Sequence, residues 1–339
     1  MKNFLERKGV HISVHSYLIT ALSYMALGLF SSLIIGLIIK TIGQQIPSLD
    51  SFIELGNFAM DTKIWGGAIG VAIAYGLKAP PLVIFAALFS GAFGADLGGP
   101  AGSYISALLA TEVGKLISKE TRVDIILTPF VTLTVGFFTG KFIGPPIDQF
   151  MTGFGEIINW ATAQQPFIMG TIVAVLMGLA LTAPISSLAI AIMLSIDGLA
   201  AGAATIGCAA QMIGFATISY RDNGLGGFIA QGIGTSMLQV ANVVKKPIIL
   251  LPPTAAGALL APVATVWLEL ENNASGAGMG TSGLVGQIMT FQTMGFSWDI
   301  VGIVLILHFI SPAIISYLIA LWLRRRGLIK DGDMLIEYE

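Results

Sequence analysis

The chain of 339 residues carries very little charge and a single cysteine. Charged residues make up 11% of the sequence, against about 25% in a typical soluble domain. The formal net charge of −2 argues against a nucleic-acid partner. Cys208 lies in an apolar run, so we expect neither a disulfide framework nor a cysteine metal site.

Sequence signatures of enzymes are equally scarce. The chain has no phosphate-binding loop and no zinc motif, and its apolar composition leaves no room for a soluble catalytic domain. The segment Gly280–Gly283 together with His308 matches the Gly-x-Ser-Gly plus His pattern of intramembrane serine proteases. Such a short pattern arises easily in a chain with 41 glycines. We therefore predict no self-contained catalytic site, no cofactor and no bound metal.

Long apolar runs place the chain in a lipid bilayer. Hydrophobic residues make up 55% of the sequence, and the mean hydropathy is +0.85. A bilayer core about 30 Å thick needs roughly 20 apolar residues per helix. We predict an all-α polytopic membrane protein with about ten transmembrane helices, over residues 17–41, 64–78, 82–97, 101–118, 124–143, 166–182, 186–203, 204–220, 247–268 and 298–323. The shorter hairpins could instead be re-entrant, which would leave about six full crossings.

Lysine and arginine are concentrated in a few places along the chain. They cluster before the first predicted span, after the last one, and within residues 115–122 and 221–246. The segments 50–61, 148–156 and 269–299 are acidic and nearly free of basic residues. By the positive-inside rule the basic clusters face the cytoplasm. We therefore predict a multi-pass protein with both termini cytoplasmic and the three acidic segments outside.

One sequence pattern occurs twice. Glu-x-x-Asn, an aromatic residue and Ala begin at Glu54 and again at Glu156, and an Ala-Pro pair follows at residue 79 and at residue 183. Internal duplication of apolar segments is typical of transporters. Four predicted spans separate the two copies, so both should keep the same orientation, as a parallel repeat. The predicted parts of the chain are two repeat units and a remainder, over residues 17–118, 124–220 and 221–323.

Two polar, glycine-rich segments interrupt the apolar runs, at residues 226–239 and 272–287. Both contain Gly-Thr-Ser-x-Leu followed by Gln. Irregular backbone at membrane depth is tolerated only where it is buried in protein or lines a cavity. Because basic residues flank the first and acidic residues flank the second, the two could enter from opposite faces and meet as re-entrant segments. The alternative is that they are irregular loops with close helix packing at glycine.

Hydroxyl and amide side chains in these segments would suit a small polar solute, sugar-like or carboxylate-bearing, in a central cavity. Glu271 could bind the solute or be a solvated acid of an outer loop. His308 could donate to the solute or be a neutral packing residue. Glu112 lies one turn from Lys115 or Lys119 and favours a helix ion pair. The candidate substrate-binding residues are Thr235, Ser236, Gln239, Glu271, Asn272, Asn273, Thr281, Ser282, Gln287 and His308.

Several longer motifs resemble one family of membrane proteins. They lie at residues 1–9, 76–81, 207–212 and 271–287. They resemble the second type of phosphotransferase-system subunit IIC, a group that includes the perfringolysin-regulator (PfoR-like) proteins. The resemblance covers essentially the whole chain. It implies a single IIC-like domain over residues 1–339 and a dimer in the inner (plasma) membrane of a bacterium.

The relatives are described as taking up sugars coupled to phosphorylation by separate IIA and IIB phosphocarrier proteins. No phosphocarrier module occurs in these 339 residues, so any phosphoryl transfer would depend on those partners. Three classes of function stay open. The chain could be a IIC-like permease, a membrane-bound sensor or regulator of the PfoR type without transport, or an ion-coupled transporter of another solute.

Overall fold

The computed structural model describes residues 2–13, 15–46 and 48–336, and within these ranges the chain is helical and has no β-strand. The predicted all-α class is therefore confirmed. The helices, in chain order, are α1 Lys2–Arg7, α2 His15–Gln44, α3 Asp50–Ala59, α4 Thr62–Gly76, α5 Pro81–Ile117, α6 Asp124–Thr162, α7 Pro166–Thr182, α8 Ser187–Met193, α9 Gly198–Ile218, α10 Tyr220–Ile229, α11 Val240–Lys245, α12 Pro247–Trp267, α13 Ala274–Ala277, α14 Val285–Met294 and α15 Trp298–Arg325.

Six helices of the described ranges are long and apolar enough to cross a membrane, namely α2, α5, α6, α9, α12 and α15. Of the other predicted spans, α4 has 15 residues and α7 has 17. At 1.5 Å per residue these helices are about 22 and 26 Å long, which is short of the hydrocarbon thickness. The number of candidate spans is therefore six without α4 and α7 and larger if these two short helices are included.

Helix α5 is two antiparallel halves rather than one rod of 37 residues. The break is at Gly98 and Gly99, and Gly99 has φ +58°, a left-handed conformation that glycine adopts without a Cβ clash. The halves then pack closely, because a Cβ on Gly94 would lie 2.4 Å from the carbonyl oxygen of Gly102. The two halves, 81–97 and 100–117, agree with two of the predicted spans.

The predicted division between spans 186–203 and 204–220 is wrong. Helix α8 ends earlier, and α9 continues without a break through residue 204. The break instead lies between α8 and α9, where Ser195 has φ +49° and Gly198 has φ +57°. A left-handed residue cannot continue a right-handed helix, whereas Ala203-Ala204 has the highest helix propensity.

Helix α6 extends further than the predicted span 124–143. It continues to Thr162 although Pro145 and Pro146 lie inside it. Two prolines remove two amide donors, so the sequence favours a helix end there. The second Glu-x-x-Asn pattern, which begins at Glu156, therefore belongs to a 39-residue helix, whereas the first copy forms the separate helix α3.

The chain divides into two compact units, with the boundary after Phe150. In the first unit small residues bring the helices together. A Cβ on Gly28 of α2 would lie 2.8 Å from the carbonyl oxygen of Ala68 in α4. A Cβ on Gly70 of α4 would lie 2.1 Å from the carbonyl oxygen of Ala87 in α5. Close approach at glycine is a common way to pack helices in membranes.

The second unit is built around α9, which is buried over almost its whole length. Helix α7 contacts α9 where a Cβ on Gly207 would lie 1.9 Å from the carbonyl oxygen of Ala174. Helix α12 contacts α9 where a Cβ on Gly214 would lie 2.6 Å from the Cβ of Pro253. Helix α15 contacts α9 at the same glycine. The two polar segments of the sequence analysis both lie in this unit.

Candidate solute-binding site

The two Gly-Thr-Ser elements contact each other directly. The Thr281 hydroxyl donates to the carbonyl oxygen of Gly232, and the Ser282 hydroxyl donates to that of Gly234 at 2.7 Å. Both hydroxyls are fully buried. The structure thus brings the predicted elements together, but it uses these two side chains to join the elements.

The second element can approach α9 closely because of one glycine. Gly280 has φ +53°, and a Cβ there would lie 2.6 Å from the backbone carbon of Cys208. The backbone at Gly280 therefore packs directly against the backbone of α9. Leu284 is also left-handed, with φ +58°, and helix α14 starts immediately after it. The polar segment thus turns sharply before it becomes helical again.

The first element is hydrogen-bonded to α7 and to the carboxy-terminal segment. Thr235 is extended, with φ −160°, and its hydroxyl accepts from the amide of Met237. Ser236 Oγ lies 2.8 Å from Thr182 Oγ1 of α7. Gln239 Nε2 donates to Gln231 Oε1 and to the carbonyl oxygen of Met334, both at 2.9 Å. All of these side chains are buried, and the Gln239 amide is already in use.

The carboxy-terminal strap, residues 331–336, binds across this region and begins with a turn at residues 331–334. The Asp222 carboxylate accepts from two of its amides, and the Asn223 side chain donates to one carbonyl and accepts from one amide. Asn242 Nδ2 donates to the carbonyl oxygen of Leu335 at 2.9 Å. Met334 is fully buried. Four polar side chains thus recognise the backbone of the strap.

Asn272 joins the second element to α9 and α14. Its Nδ2 lies within 3.1 Å of Thr205 Oγ1, the carbonyl oxygen of Gly286 and Thr290 Oγ1. The neighbouring Asn273 caps helix α13 through its side-chain oxygen. Glu271 is exposed, so it does not share the buried region with the other candidates.

Gln287 and His308 form a buried pair with two unused polar atoms. Gln287 Nε2 lies 2.9 Å from His308 Nδ1. Neither Gln287 Oε1 nor His308 Nε2 has a hydrogen-bond partner among the described residues. His308 lies in a π-helical turn, Leu305–Ile310, and such turns are frequent at functional sites. The pair can offer an acceptor and a donor to a bound molecule.

Sequence reasoning missed a further polar chain inside the second unit. Gln211 of α9 donates to Thr254 Oγ1 at 2.8 Å and accepts from Thr182 Oγ1 at 3.3 Å. The available signal was a single amide in the middle of an otherwise apolar helix, because burying such a group requires partners.

Comparison with known proteins gives one match. The profile of the family described as "Phosphotransferase system, EIIC" matches residues 19–336. No curated protein matches the chain, and no solved structure matches it. The family match covers nearly the whole chain, and the apolar helices agree with an integral membrane protein. EIIC proteins are the membrane permease subunits of phosphotransferase systems and work with separate IIA and IIB proteins. The chain belongs to the phosphotransferase-system EIIC family.

Proposed function

We propose that this EIIC protein binds and translocates a small, neutral, hydroxyl-bearing solute of the sugar or polyol class, and that Gln287 and His308 contact it. One observation carries the proposal. Two buried side chains are hydrogen-bonded to each other, and each keeps one polar atom unpaired. An unpaired buried polar atom costs roughly 1–3 kcal/mol, so a ligand that pairs both atoms gains affinity.

The chemistry of the pair fits a hydroxyl group. If the Gln287 amide donates to Nδ1, the imidazole of His308 carries its proton on Nε2. The pair then presents an acceptor at Gln287 Oε1 and a donor at His308 Nε2. A hydroxyl can donate to the first and accept at the second. Among the described residues of the second unit no Asp, Glu, Lys or Arg is buried, which favours a neutral solute over a carboxylate-bearing one.

The contact between the two Gly-Thr-Ser elements supports their role as the scaffold of the site. Thr281 and Ser282 hold the backbone of the first element, so these hydroxyls position it rather than bind solute. We propose that both elements are re-entrant, because irregular backbone inside a membrane needs such burial. Gln287 is the last residue of the second polar segment, which supports a solute site next to this scaffold.

The two Ala-Pro segments support an internal repeat. After Pro80 and after Pro184 a helix is interrupted by a left-handed glycine, Gly99 or Gly198, and a further helix follows. We propose that the repeat is parallel and that both termini face the cytoplasm of a bacterium. The protein would work as a homodimer in the inner membrane with its IIA and IIB partners.

Ligand binding by the purified protein tests the site. A thermal-shift screen against sugars, polyols and organic acids selects the ligand, and calorimetry gives its Kd. We expect Gln287→Ala to weaken binding by about 0.5–1.5 kcal/mol, the value of one neutral hydrogen bond. Gln164→Ala is the matched control, because that half-buried amide follows the end of α6 and donates to the carbonyl oxygen of Trp160 in the last turn of that helix. An unchanged Kd in both Gln287→Ala and His308→Ala would place the site elsewhere.

Cysteine labelling of intact cells tests the orientation. Single cysteines near Asp50, Asp148 and Asn273, on a Cys208→Ala background, should react with an impermeant reagent from outside. A cysteine after Arg326 should react only after the cells are opened. An externally labelled carboxy-terminal segment contradicts the proposed orientation.

A further inference from the structure

The first unit contains a polar cavity that the proposed permease site does not use. Its volume is about 260 Å³, and it lies between the segment after α1, the start of α2 and the ends of α4 and α5. Three charged side chains line this cavity. The side chains used below are those of His11, Ser16, Thr20, Lys78, Glu112 and Lys115.

A buried ion pair forms one wall. The predicted helix ion pair of Glu112 with Lys115 is confirmed, with Nζ 3.1 Å from Oε1. Glu112 is 8% exposed and Lys115 is 2% exposed. Lys115 Nζ also donates to the carbonyl oxygen of Leu77 at 3.1 Å. The second carboxylate oxygen, Glu112 Oε2, has no hydrogen-bond partner in the described part of the chain. It is therefore ready to accept one hydrogen bond.

Lys78 also lines the cavity and has an unfavourable backbone conformation. It follows α4 with φ +54°, in the left-handed position where helices commonly end with glycine. A residue with a Cβ costs roughly 1–2 kcal/mol there. Such strain is often kept at functional positions. The side chain of Lys78 is exposed, and its ammonium group is available to the cavity.

We propose that this cavity binds a small anion that carries a hydroxyl group next to its charged group, with Lys78 at the anionic end and Glu112 at the hydroxyl. Lys78 and Lys115 bring two positive charges to the cavity against the one negative charge of Glu112, so the cavity favours an anionic group. His11, Ser16 and Thr20 supply further donors at the same end of the unit. A bare cation would face two ammonium groups, and an apolar molecule would leave Glu112 Oε2 unpaired.

This chemistry could come from a free solute or from the headgroup of an anionic lipid. Glycerol 3-phosphate carries both required groups and serves as the soluble probe. Inorganic phosphate lacks the hydroxyl arm, and glycerol lacks the charge. Nanodiscs containing phosphatidylglycerol, compared with nanodiscs of phosphatidylcholine alone, supply the lipid form.

Calorimetry on the full-length protein in detergent tests the soluble form. We expect glycerol 3-phosphate to bind at least about tenfold more tightly than phosphate or glycerol, since a charge-assisted hydrogen bond is worth about 1.5–3 kcal/mol. Titration in the two kinds of nanodisc distinguishes the sources. If phosphatidylglycerol lowers the apparent affinity for the probe, the lipid headgroup occupies the same cavity.

Lys78→Gly is the decisive variant, because it removes the charge and also relieves the left-handed strain. A loss of binding therefore cannot be caused by a damaged fold. Lys119→Gly is the matched control, since Lys119 has φ +62° and is exposed but does not line the cavity. We expect Lys78→Gly to weaken binding of glycerol 3-phosphate at least about tenfold and Lys119→Gly to leave it unchanged.

Glu112→Gln tests the hydroxyl contact. It removes the charged acceptor, so it should reduce the ratio by which glycerol 3-phosphate binds more tightly than phosphate, while the loss of one negative charge favours both anions equally. The proposal is overturned if the three probes bind equally, or if Lys78→Gly and Lys119→Gly have the same effect. Because Gln287→Ala acts only on the site in the second unit, its result separates this proposal from the permease proposal.

Discussion

Two segments follow the Ala-Pro pairs, 81–117 and 187–218. Each contains a break at a left-handed glycine, but the helices before the break differ in length. In the first, a helix reaches residue 97 before the break at Gly99. In the second, the helix ends at Met193, before the break at Gly198. The first segment is therefore a complete helical hairpin. The second segment has a similar break and a long helix after it, but the helix before the break has only the 7 residues of α8.

Different partners cover the helix after the break. In the first segment a Cβ on Gly102 would lie 2.4 Å from the carbonyl oxygen of Gly94, so one helix covers another. In the second segment a Cβ on Gly202 would lie 1.9 Å from the carbonyl oxygen of Leu270, just before the polar segment 272–287. Ser187 at the start of α8 donates to the carbonyl oxygen of Gly278 in that polar segment. A shortened helix thus makes room for irregular polar backbone, which a solute site needs.

Glycine-to-alanine variants give the largest expected effect. Gly202→Ala and Gly70→Ala should each lower the free energy of unfolding by at least about 1–3 kcal/mol, because the new methyl group meets a backbone carbonyl. Gly302→Ala has open space around its Cβ, so better helix propensity should leave stability unchanged or raise it by up to about 1 kcal/mol. Thermal unfolding in detergent measures all three. A harmless Gly202→Ala would show that the polar segment does not pack tightly on α9.

The buried polar contacts of the two segments should differ in strength. Asn272→Ala removes the contacts of its Nδ2 with α9 and α14, so we expect a loss of about 1–3 kcal/mol in the free energy of unfolding. Ser103→Ala in the first segment removes one bond, to the carbonyl oxygen of Gly66, and should cost about 0.5–1.5 kcal/mol. Chemical unfolding of the two variants measures the difference. Equal losses would contradict the view that the second segment depends more on its polar contacts.

Thr171→Ala is the control for both variants. Its hydroxyl is exposed and bonds only to the preceding turn of α7. Its free energy of unfolding should stay within about 0.5 kcal/mol of the parent protein.

The smallest expected effect on stability comes from ion pairs, of which each unit has one group. Glu120 pairs with Lys8 and Arg7 in the first unit, and Asp333 pairs with Lys246 in the second. The Lys8 hydrogen bond lowers the pKa of Glu120. Partial burial alone would raise the pKa of Asp333, but hydrogen bonds from Lys246 and the Lys330 amide lower it below its ordinary 3.8.

Each of these carboxylates has a lower pKa in the folded state than in the unfolded chain. The charged carboxylate therefore stabilises the fold at a pH above its ordinary, unfolded-state pKa. This stabilisation is lost as the pH falls through the lowered pKa of the folded state. Asp333→Asn should therefore reduce the melting temperature at pH 7, by an amount that corresponds to less than about 1 kcal/mol. The difference from the parent protein should shrink and then vanish as the pH falls through the lowered pKa of Asp333. Glu120→Gln should show the same pH trend in the first unit. A difference that persists unchanged at low pH would exclude a charge effect.

Much of the molecule follows from local sequence. The all-α class, the family and most helix positions were predicted, because apolar runs, Ala-Pro pairs and Gly-Gly breaks act on neighbouring residues. The Glu112–Lys115 pair was predicted for the same reason, since three residues along a helix bring two side chains together. The buried polar contacts of the second unit were only partly predicted. Gln287 and His308 were among the candidates, but their pairing was not, and Gln211 and Thr254 were missed.

The sequence by itself determined that this chain is helical, lipid-embedded and interrupted by two polar segments, because composition and periodicity depend on the solvent and on nearest neighbours. Only the tertiary structure decided what each polar group binds. The hydroxyls of Thr281 and Ser282 donate to backbone carbonyls, and the amide of Gln239 donates to the carboxy-terminal strap. Glu271 stays exposed. Hydrogen bonds between residues that lie 50 to 100 positions apart depend on where whole helices pack, and glycine contacts with distant backbone set that packing.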